Sequence, residues 1–337
     1  MLTKEDTGFI KGIAVLLLLF HHNPNADWDL LSIRSAARIC VWCFMFVSSY
    51  GFAVQMEKVT SQRRLSFIVK RLALLYCPMW IIYLIRLLAL FLAYPSSVVS
   101  FITSAWYNLP SDILCISQYW KNAGAAGYWY VGLLALIITV YPLIFLIVRK
   151  TGWLSLVLLY AFIILFPFKL SLLYGGYVDE FLLIVFIGTL FRQKKIYERL
   201  PRVSGVKSVL VALAACLILI ALAPIRTYFS DEVANNVFFR IDFMSTIMTV
   251  ILVTAVYMAR SGVRLSRVVE WLGKQSGNIY FSHSIFYFVI LRKITIRSGL
   301  LSFLLCLMFS LAVTAAVEYV KKKTGYNERL RKALERV

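Results

Sequence analysis

Apolar residues along this chain fall into long runs separated by short polar or basic stretches. The runs are too long and too continuous to be the inner faces of a soluble domain. Ten of them read as membrane-spanning helices, over about 8–22, 33–54, 67–92, 128–148, 153–167, 179–191, 208–223, 238–258, 277–291 and 300–320. The first, fifth and sixth are shorter than the ~20 residues a perpendicular helix needs. Such segments belong in a bundle interior, or polar residues with a task of their own break the apolar run and hide part of the helix. The expected fold is an all-α integral membrane bundle, with one membrane domain over 1–320 and a basic cytoplasmic tail over 321–337.

The first run has a pattern of its own. Lys11 to His22 reads Lys-Gly-Ile-Ala-Val-Leu-Leu-Leu-Leu-Phe-His-His, with a cation at one end and two of the three histidines at the other. At 100° per residue, eleven steps return to within about 20° of the starting face, so Lys11, Val15, Leu18 and His22 share a stripe and His21 points elsewhere. The rise is roughly 16 Å, about half of a ~30 Å hydrocarbon core. With Lys11 at an interface, His22 lies deep in the membrane, where an ionisable group is expensive and is a functional candidate by default.

Composition supports the membrane reading. The chain has 337 residues, 61% hydrophobic and 15% charged, with a mean hydropathy of +0.79. That is too few charges to cover a soluble protein of this size. The net charge of +20 would suggest nucleic acid in a soluble chain. Here the cations lie between the apolar runs, and no nucleic-acid-binding motif is present. With a cytoplasmic N-terminus, 26 Lys and Arg fall on the inside and 9 on the outside, which predicts both termini in the cytoplasm. The N-terminal run is followed by His21-His22-Asn23-Pro24-Asn25 and no small-x-small cleavage site, so it reads as a retained first helix. Cys40 and Cys43 form a C-x-x-C on a membrane helix with no second pair, which reads as buried small hydrophobes and not as a metal site.

The polar residues that membrane burial makes costly are the candidates for chemistry. His22 is near-neutral at physiological pH and can take a proton, although a structural histidine at a helix end would look the same. His283 closes Ser276-Gly277-Asn278-Ile279-Tyr280-Phe281-Ser282-His283, with Tyr280 its helix neighbour three residues back. A carboxylate orienting an imidazole would come from Asp179, Glu180, Asp242 or Glu318. Glu318, beside Lys321 and Lys322, reads as an interfacial pair. Arg86, inside the third span, must face the bundle interior. Arg63, Arg64, Lys70 and Arg71 form a basic cluster at the inner end of that span. It suits lipid headgroups, or, beside Lys11, a soluble cofactor with several phosphates. The long outer loop over about 93–127 carries Trp106, Tyr107, Tyr119 and Trp120, which could stack on a sugar or form an interfacial belt.

Taken in order, these residues resemble the integral-membrane acyltransferase-3 family, mostly bacterial enzymes that acylate sugars and related polar acceptors. That family opens with Arg-Gly and a hydrophobic run ending in His eleven residues on; Lys11-Gly12-Ile13-Ala14 leads here to His22. Its second helix, of Phe-Phe-x-x-Ser-Gly-Tyr type, is matched by Phe44-Met45-Phe46-Val47-Ser48-Ser49-Tyr50-Gly51-Phe52. The basic entry and proline of the third correspond to Lys70-Arg71 and Pro78. The fourth opens with Trp129-Tyr130 and carries Tyr141-Pro142, and the last motif looks like Ser276 to His283.

The resemblance implies an acyl-CoA co-substrate, most often acetyl-CoA, with no permanently bound cofactor and no metal. Lys11, Arg63, Arg64, Lys70 and Arg71 would hold its phosphates, and His22 would be the catalytic base. From the residues themselves, Ser48, Tyr50, Tyr280 or His283 could stabilise the oxyanion, Asp242 or Glu180 could orient His22 in the catalytic set, and Arg86, Trp129 and Tyr130 could contact the substrate. A transient acyl-histidine is a further route. The acceptor would be a cell-envelope glycan or lipid-linked sugar, and the location the cytoplasmic membrane, multi-pass. Two positions depart from the family pattern. Lys11 replaces an arginine and loses bidentate hydrogen bonding. Ser49 replaces a glycine, which narrows any close helix contact there. The competing class is a transporter or flippase without chemistry, but no repeated halves or paired broken spans are present. A non-catalytic assembly subunit would leave His22 dispensable. Soluble phosphate loops, Gly-x-Ser-x-Gly elbows and His-Glu-x-x-His motifs are absent from the sequence.

Overall fold

A computed structural model of the chain describes residues 1–25, 33–96, 98–99, 109–116, 128–165, 178–233, 243–260, 266–294 and 296–336. These residues are mostly helical, and no strand occurs among them. The helices are α1 (Lys4–His21), α2 (Cys40–Met56), α3 (Arg64–Ala93), α4 (Trp129–Thr151), α5 (Leu154–Leu165) and α6 (Leu182–Gln193). They continue with α7 (Val206–Val233), α8 (Phe243–Ala259), α9 (Ser266–Lys274), α10 (Ser276–Ile285), α11 (Gly299–Lys323) and α12 (Tyr326–Glu335). Each of the ten predicted segments contains helix. Five helical stretches are long and apolar enough to cross a membrane: Ala37–Met56, Arg64–Ala93, Trp129–Thr151, Val206–Arg226 and Gly299–Lys323. α1 carries Lys4, Glu5, Asp6 and Lys11, while α5, α6, α8 and α10 have 12, 12, 17 and 10 residues. The basic tail is ordered as the end of α11 and the separate amphipathic helix α12.

The bundle is apolar on its outside. Only 17% of the apolar window of α7 is buried, against 78% for α2. Leu210, Leu213 and Leu217 of α7 and Leu84, Leu88 and Leu92 of α3 are exposed, as residues facing hydrocarbon should be. α11 buries Ser302, Cys306, Ser310 and Thr314, a stripe of small side chains at four-residue spacing that lets it lie close to α10. Inside sit α1, α2 and α10. α1 packs against α2, α8, α9, α10 and α11, so its position sets that of the site.

α1 begins a full turn before its apolar run. Thr3 and Asp6 form a capping box: Thr3 Oγ1 accepts from Asp6 N at 3.1 Å, and Thr3 N donates to Asp6 Oδ2 at 2.8 Å. Asp6 is fully buried, yet Arg202 reaches it at 2.7 Å and Arg260 at 3.2 Å. The carboxylate hydrogen bond in turn raises the pKa of Arg202 above its ordinary value. Two glycine contacts then fix the helix spacing. On α1, Gly8 and Gly12 lie against α9, where Gly273 sits on the Gly8 carbonyl; a Cβ on Gly12 would run into the Val269 carbonyl. On α6, Gly188 faces Ser49 and the Phe46 carbonyl of α2. Ser49 was expected to narrow a helix contact. The partner helix supplies the missing glycine instead, so α2 and α6 still pack closely. Tyr141 of α4 seals the same contact, donating to Ser49 O at 2.7 Å and meeting Thr189 Oγ1 at 2.9 Å.

Candidate active site

The C-terminal end of α1 is tied to two other segments, by Tyr287 reaching in and by Asn23 reaching out. An α-helix leaves its last carbonyls without intrahelical partners. Tyr287 Oη donates to Leu19 O at 2.9 Å, and Asn23 Nδ2 donates to Gly299 O at 2.7 Å. Pro24 cannot continue the ladder. Tyr287 comes from a π-helical turn, Phe286–Ile290, that follows α10 directly; such turns occur often at functional sites.

This clamp sets two imidazoles face to face. The rings of His22 and His283 have centroids 5.0 Å apart and planes tilted by 38°. His21 lies edge-on to His22 at 5.0 Å on the other side, and Phe288 closes the site at 6.4 Å. Each imidazole is oriented by a backbone carbonyl. His22 Nδ1 bonds Leu18 O at 3.2 Å, His21 Nδ1 bonds Arg34 O at 3.0 Å, and His283 Nδ1 bonds Tyr280 O. A carbonyl only accepts, so Nδ1 carries the proton in each neutral ring and Nε2 is left with the lone pair. Beyond His283 is Arg86, buried, with its guanidinium 5.1 Å above the Tyr128 ring and its charge within electrostatic reach of His283. Tyr128 Oη donates to Phe281 O at 3.1 Å and so ties this layer to α10.

A cavity of about 210 Å³ runs alongside, walled by α1, α2, α3, α4 and α10. Lys11, Ser276, Gly277 and Asn278 line it. Ser48, Phe44, Leu74, Leu75 and Pro78 also line it, with Tyr130, Val131, Leu134, Tyr280 and Phe281. Tyr280 belongs to both places, because its ring centroid is 5.6 Å from that of His283. Arg71 lies within electrostatic reach of Lys11, with its guanidinium over Phe52 at 5.8 Å and Phe67 at 6.0 Å. Lys70 and Arg64 are half-buried and Arg63 is exposed.

Other predicted residues lie apart from this site. Tyr50 accepts from Leu2 N at 3.3 Å and packs between Phe46 and Tyr197, where it supports the start of α1. Trp129 packs on Phe181 and on Tyr130. Glu180 pairs with Arg38 at 3.5 Å, so its charge is engaged away from His22. Glu318 pairs with Lys321 at 2.8 Å, and its Oε1 also accepts from Asn278 Nδ2 at 2.9 Å. Asp242 lies outside the described residues, as do Trp106, Tyr107, Tyr119 and Trp120. Cys40 and Cys43 are buried, free thiols.

Sequence reasoning missed four residues. Asp6 precedes the predicted first span and is a buried anchor within α1. Asp112 is buried beside Arg86, close enough for both charges to act on Tyr83. Tyr128 and Tyr287 were hidden among 19 tyrosines, and only their distant carbonyl partners distinguish them.

A family model described as an acyltransferase domain matches residues 8–319. No curated protein and no solved structure matches the chain. The match covers all three histidines, the cavity lining and all but the last four residues of the candidate membrane-crossing helices among the described residues, so the protein belongs to the acyltransferase-3 family and is a multi-pass membrane acyltransferase.

Proposed function

We propose that the protein transfers an acyl group, in the simplest case acetyl, from acyl-CoA to a hydroxyl of a cell-envelope glycan or lipid-linked sugar in the cytoplasmic membrane, with His22 as general base. The observation that supports this most strongly is the His22–His283 pair adjoining, through Tyr280, a cavity that Lys11 also lines. A cation suits the phosphates of the donor, and a narrow cavity suits the pantetheine arm. The charge asymmetry agrees with this direction of entry, because a cytoplasmic N-terminus puts Lys11 and Arg71 on the side where CoA is made.

The chemistry follows from the tautomer. With Nδ1–H held by Leu18 O, His22 Nε2 accepts the proton of the acceptor hydroxyl as its oxygen attacks the thioester carbonyl. A tetrahedral oxyanion forms. It collapses by breaking the carbon–sulfur bond, and the departing thiolate takes the proton from His22 Nε2. His283 in the same tautomer offers a lone pair at Nε2, so it suits the acceptor hydroxyl or the shared proton and not the oxyanion. Donors for the oxyanion are then Ser48 and Tyr280, which line the cavity.

The test is transfer of radioactive acetyl from acetyl-CoA in membranes holding the wild type or His22→Ala at matched expression. The expected result is label in a glycan or lipid-linked sugar with the wild type and a loss of about 10²–10⁴-fold in the variant. Equal labelling by both would remove His22 from catalysis. Silence with acetyl-CoA and longer acyl-CoAs alike would remove the acyl-CoA reading.

A further inference from the structure

The cavity that Lys11 lines is also lined by the first turn of α10. Ser276, Gly277 and Asn278 are the first three residues of that ten-residue helix, and all three line the cavity. Their N–H groups precede the first bond of the helix ladder, which runs from Ile279 N to Gln275 O at 3.0 Å. Gln275 provides no side-chain cap. A helix start of this kind carries partial positive charge and free donors, the arrangement that binds phosphate.

The side chains around it point to the same ligand. Ser276 is only 8% exposed, and its hydroxyl has no hydrogen-bond partner among the described residues. A hydroxyl in that state, on a residue that lines the cavity, is available to donate to a ligand there. A Cβ on Gly277 would meet nothing within 4 Å, so the backbone lies open to the cavity. Lys11 lines the same cavity, and no acidic partner pairs with it among the described residues. Glu318, whose Oε1 accepts from Asn278 Nδ2 at 2.9 Å, is paired with Lys321 at 2.8 Å. Those bonds engage the carboxylate that would otherwise repel an anion.

On the acyl-CoA reading above, we infer that the first turn of α10, through the Ser276, Gly277 and Asn278 N–H groups and Ser276 Oγ, holds the diphosphate of acyl-CoA opposite Lys11. The basic cluster of α3 then lies outside this contact and does not replace it. The α10 site joins the donor to the same helix that carries Tyr280 and His283, so the phosphates and the reacting thioester are located by one rigid element. Seven residues separate Ser276 from His283, about 10 Å along the helix.

The experiment measures binding of CoA, and of phosphate-free pantetheine, to the full chain in phosphatidylcholine nanodiscs. Gly277→Asp puts a carboxylate where the helix dipole favours one, in space no protein atom fills, so the fold is kept. It also repels a phosphate. Expected is a loss of at least about tenfold in CoA affinity with pantetheine binding and thermal stability unchanged, and a smaller loss, about three- to tenfold, for Ser276→Ala. CoA binding by Gly277→Asp equal to that of the wild type would overturn the site while leaving the donor reading intact. An equal loss of pantetheine would overturn it as a phosphate contact. A wild type that binds no CoA would overturn the donor reading and this site with it. If that wild type were instead stabilised by phosphatidylglycerol, and Gly277→Asp were not, the turn would belong to a lipid phosphate.

Discussion

Replacing Gly273 by alanine tests whether the close crossing of α1 and α9 positions the site. A Cβ on Gly273 would lie inside the Gly8 carbonyl oxygen's radius, 2.6 Å from Gly8 C and 2.8 Å from Gly12 N. All three obstacles are backbone atoms of α1, so no rotamer change gives relief. The helices must separate by on the order of 1 Å to restore ordinary contact, a shift that overpacking data place at about 1–3 kcal/mol. Alanine returns up to about 1 kcal/mol of helix propensity in α9, leaving a net loss of about 1–2 kcal/mol. The functional cost is larger than the stability cost. α1 carries Lys11 and His22 on one rigid rod, and a misplacement near 1 Å costs up to about a hundredfold in rate. The assay pairs thermal unfolding in detergent with acetyl transfer in membranes. Gly51→Ala is the control, because a Cβ there meets nothing within 4 Å. Gly273→Ala is expected to lower both readouts, with activity falling further than stability predicts, while Gly51→Ala leaves both unchanged or slightly improved. A Gly273→Ala protein of wild-type stability and rate would refute the claim that this crossing sets the geometry.

Tyr287→Phe removes the hydroxyl that satisfies Leu19 O, so stability should fall by about 1 kcal/mol in thermal unfolding, with a larger loss in transfer rate because the His22–His283 spacing depends on that bond. Tyr141→Phe deletes bonds to Ser49 O and Thr189 Oγ1 far from the histidines, so unfolding should show a similar destabilisation with transfer per folded molecule unchanged. Asp6→Ala breaks the cap and leaves Arg202 and Arg260 without their shared carboxylate. Both arginines reach solvent, so the loss in unfolding free energy should be about 1–3 kcal/mol, below the value for a fully buried pair, with Asp6→Asn intermediate.

Hydropathy made the helices legible because each apolar run is a local signal, and the lipid-facing surfaces of α3, α7 and α11 require nothing more. The start of α1 was not legible. Lys4, Glu5 and Asp6 resemble a solvated lead-in, and only Arg202 and Arg260, both more than 190 residues away, reveal Asp6 as interior. Ser49 shows the same limit: a side chain that is too large by the family pattern is accommodated by Gly188 on α6, and sequence alone does not pair those two positions. His22 and His283 were each visible as costly residues in membrane. Their proximity was not, because it depends on a π-turn and on Tyr287, neither of which leaves a spacing signal. Glu180 was a reasonable carboxylate partner by type and position, but Arg38 engages it.

The expectation of a carboxylate beside His22 rested on how soluble enzymes orient a base. In a bundle without bulk water, a buried anion would need its own counter-ion, as Asp6 does with two arginines. His22 and His283 avoid that requirement. Each takes its orientation from a carbonyl three or four residues back on its own helix, so the proton on Nδ1 is fixed by secondary structure that the fold must make in any case. The tautomer is therefore secured by the backbone, and the tilt of the two rings by the contacts between α1 and α10. Changing the base without disturbing the pair then means altering the helix path, not a neighbouring side chain. On this logic the residues that most affect catalysis apart from the histidines are Tyr287 and the α1–α9 glycines, which touch no reacting atom and hold the two helices in register.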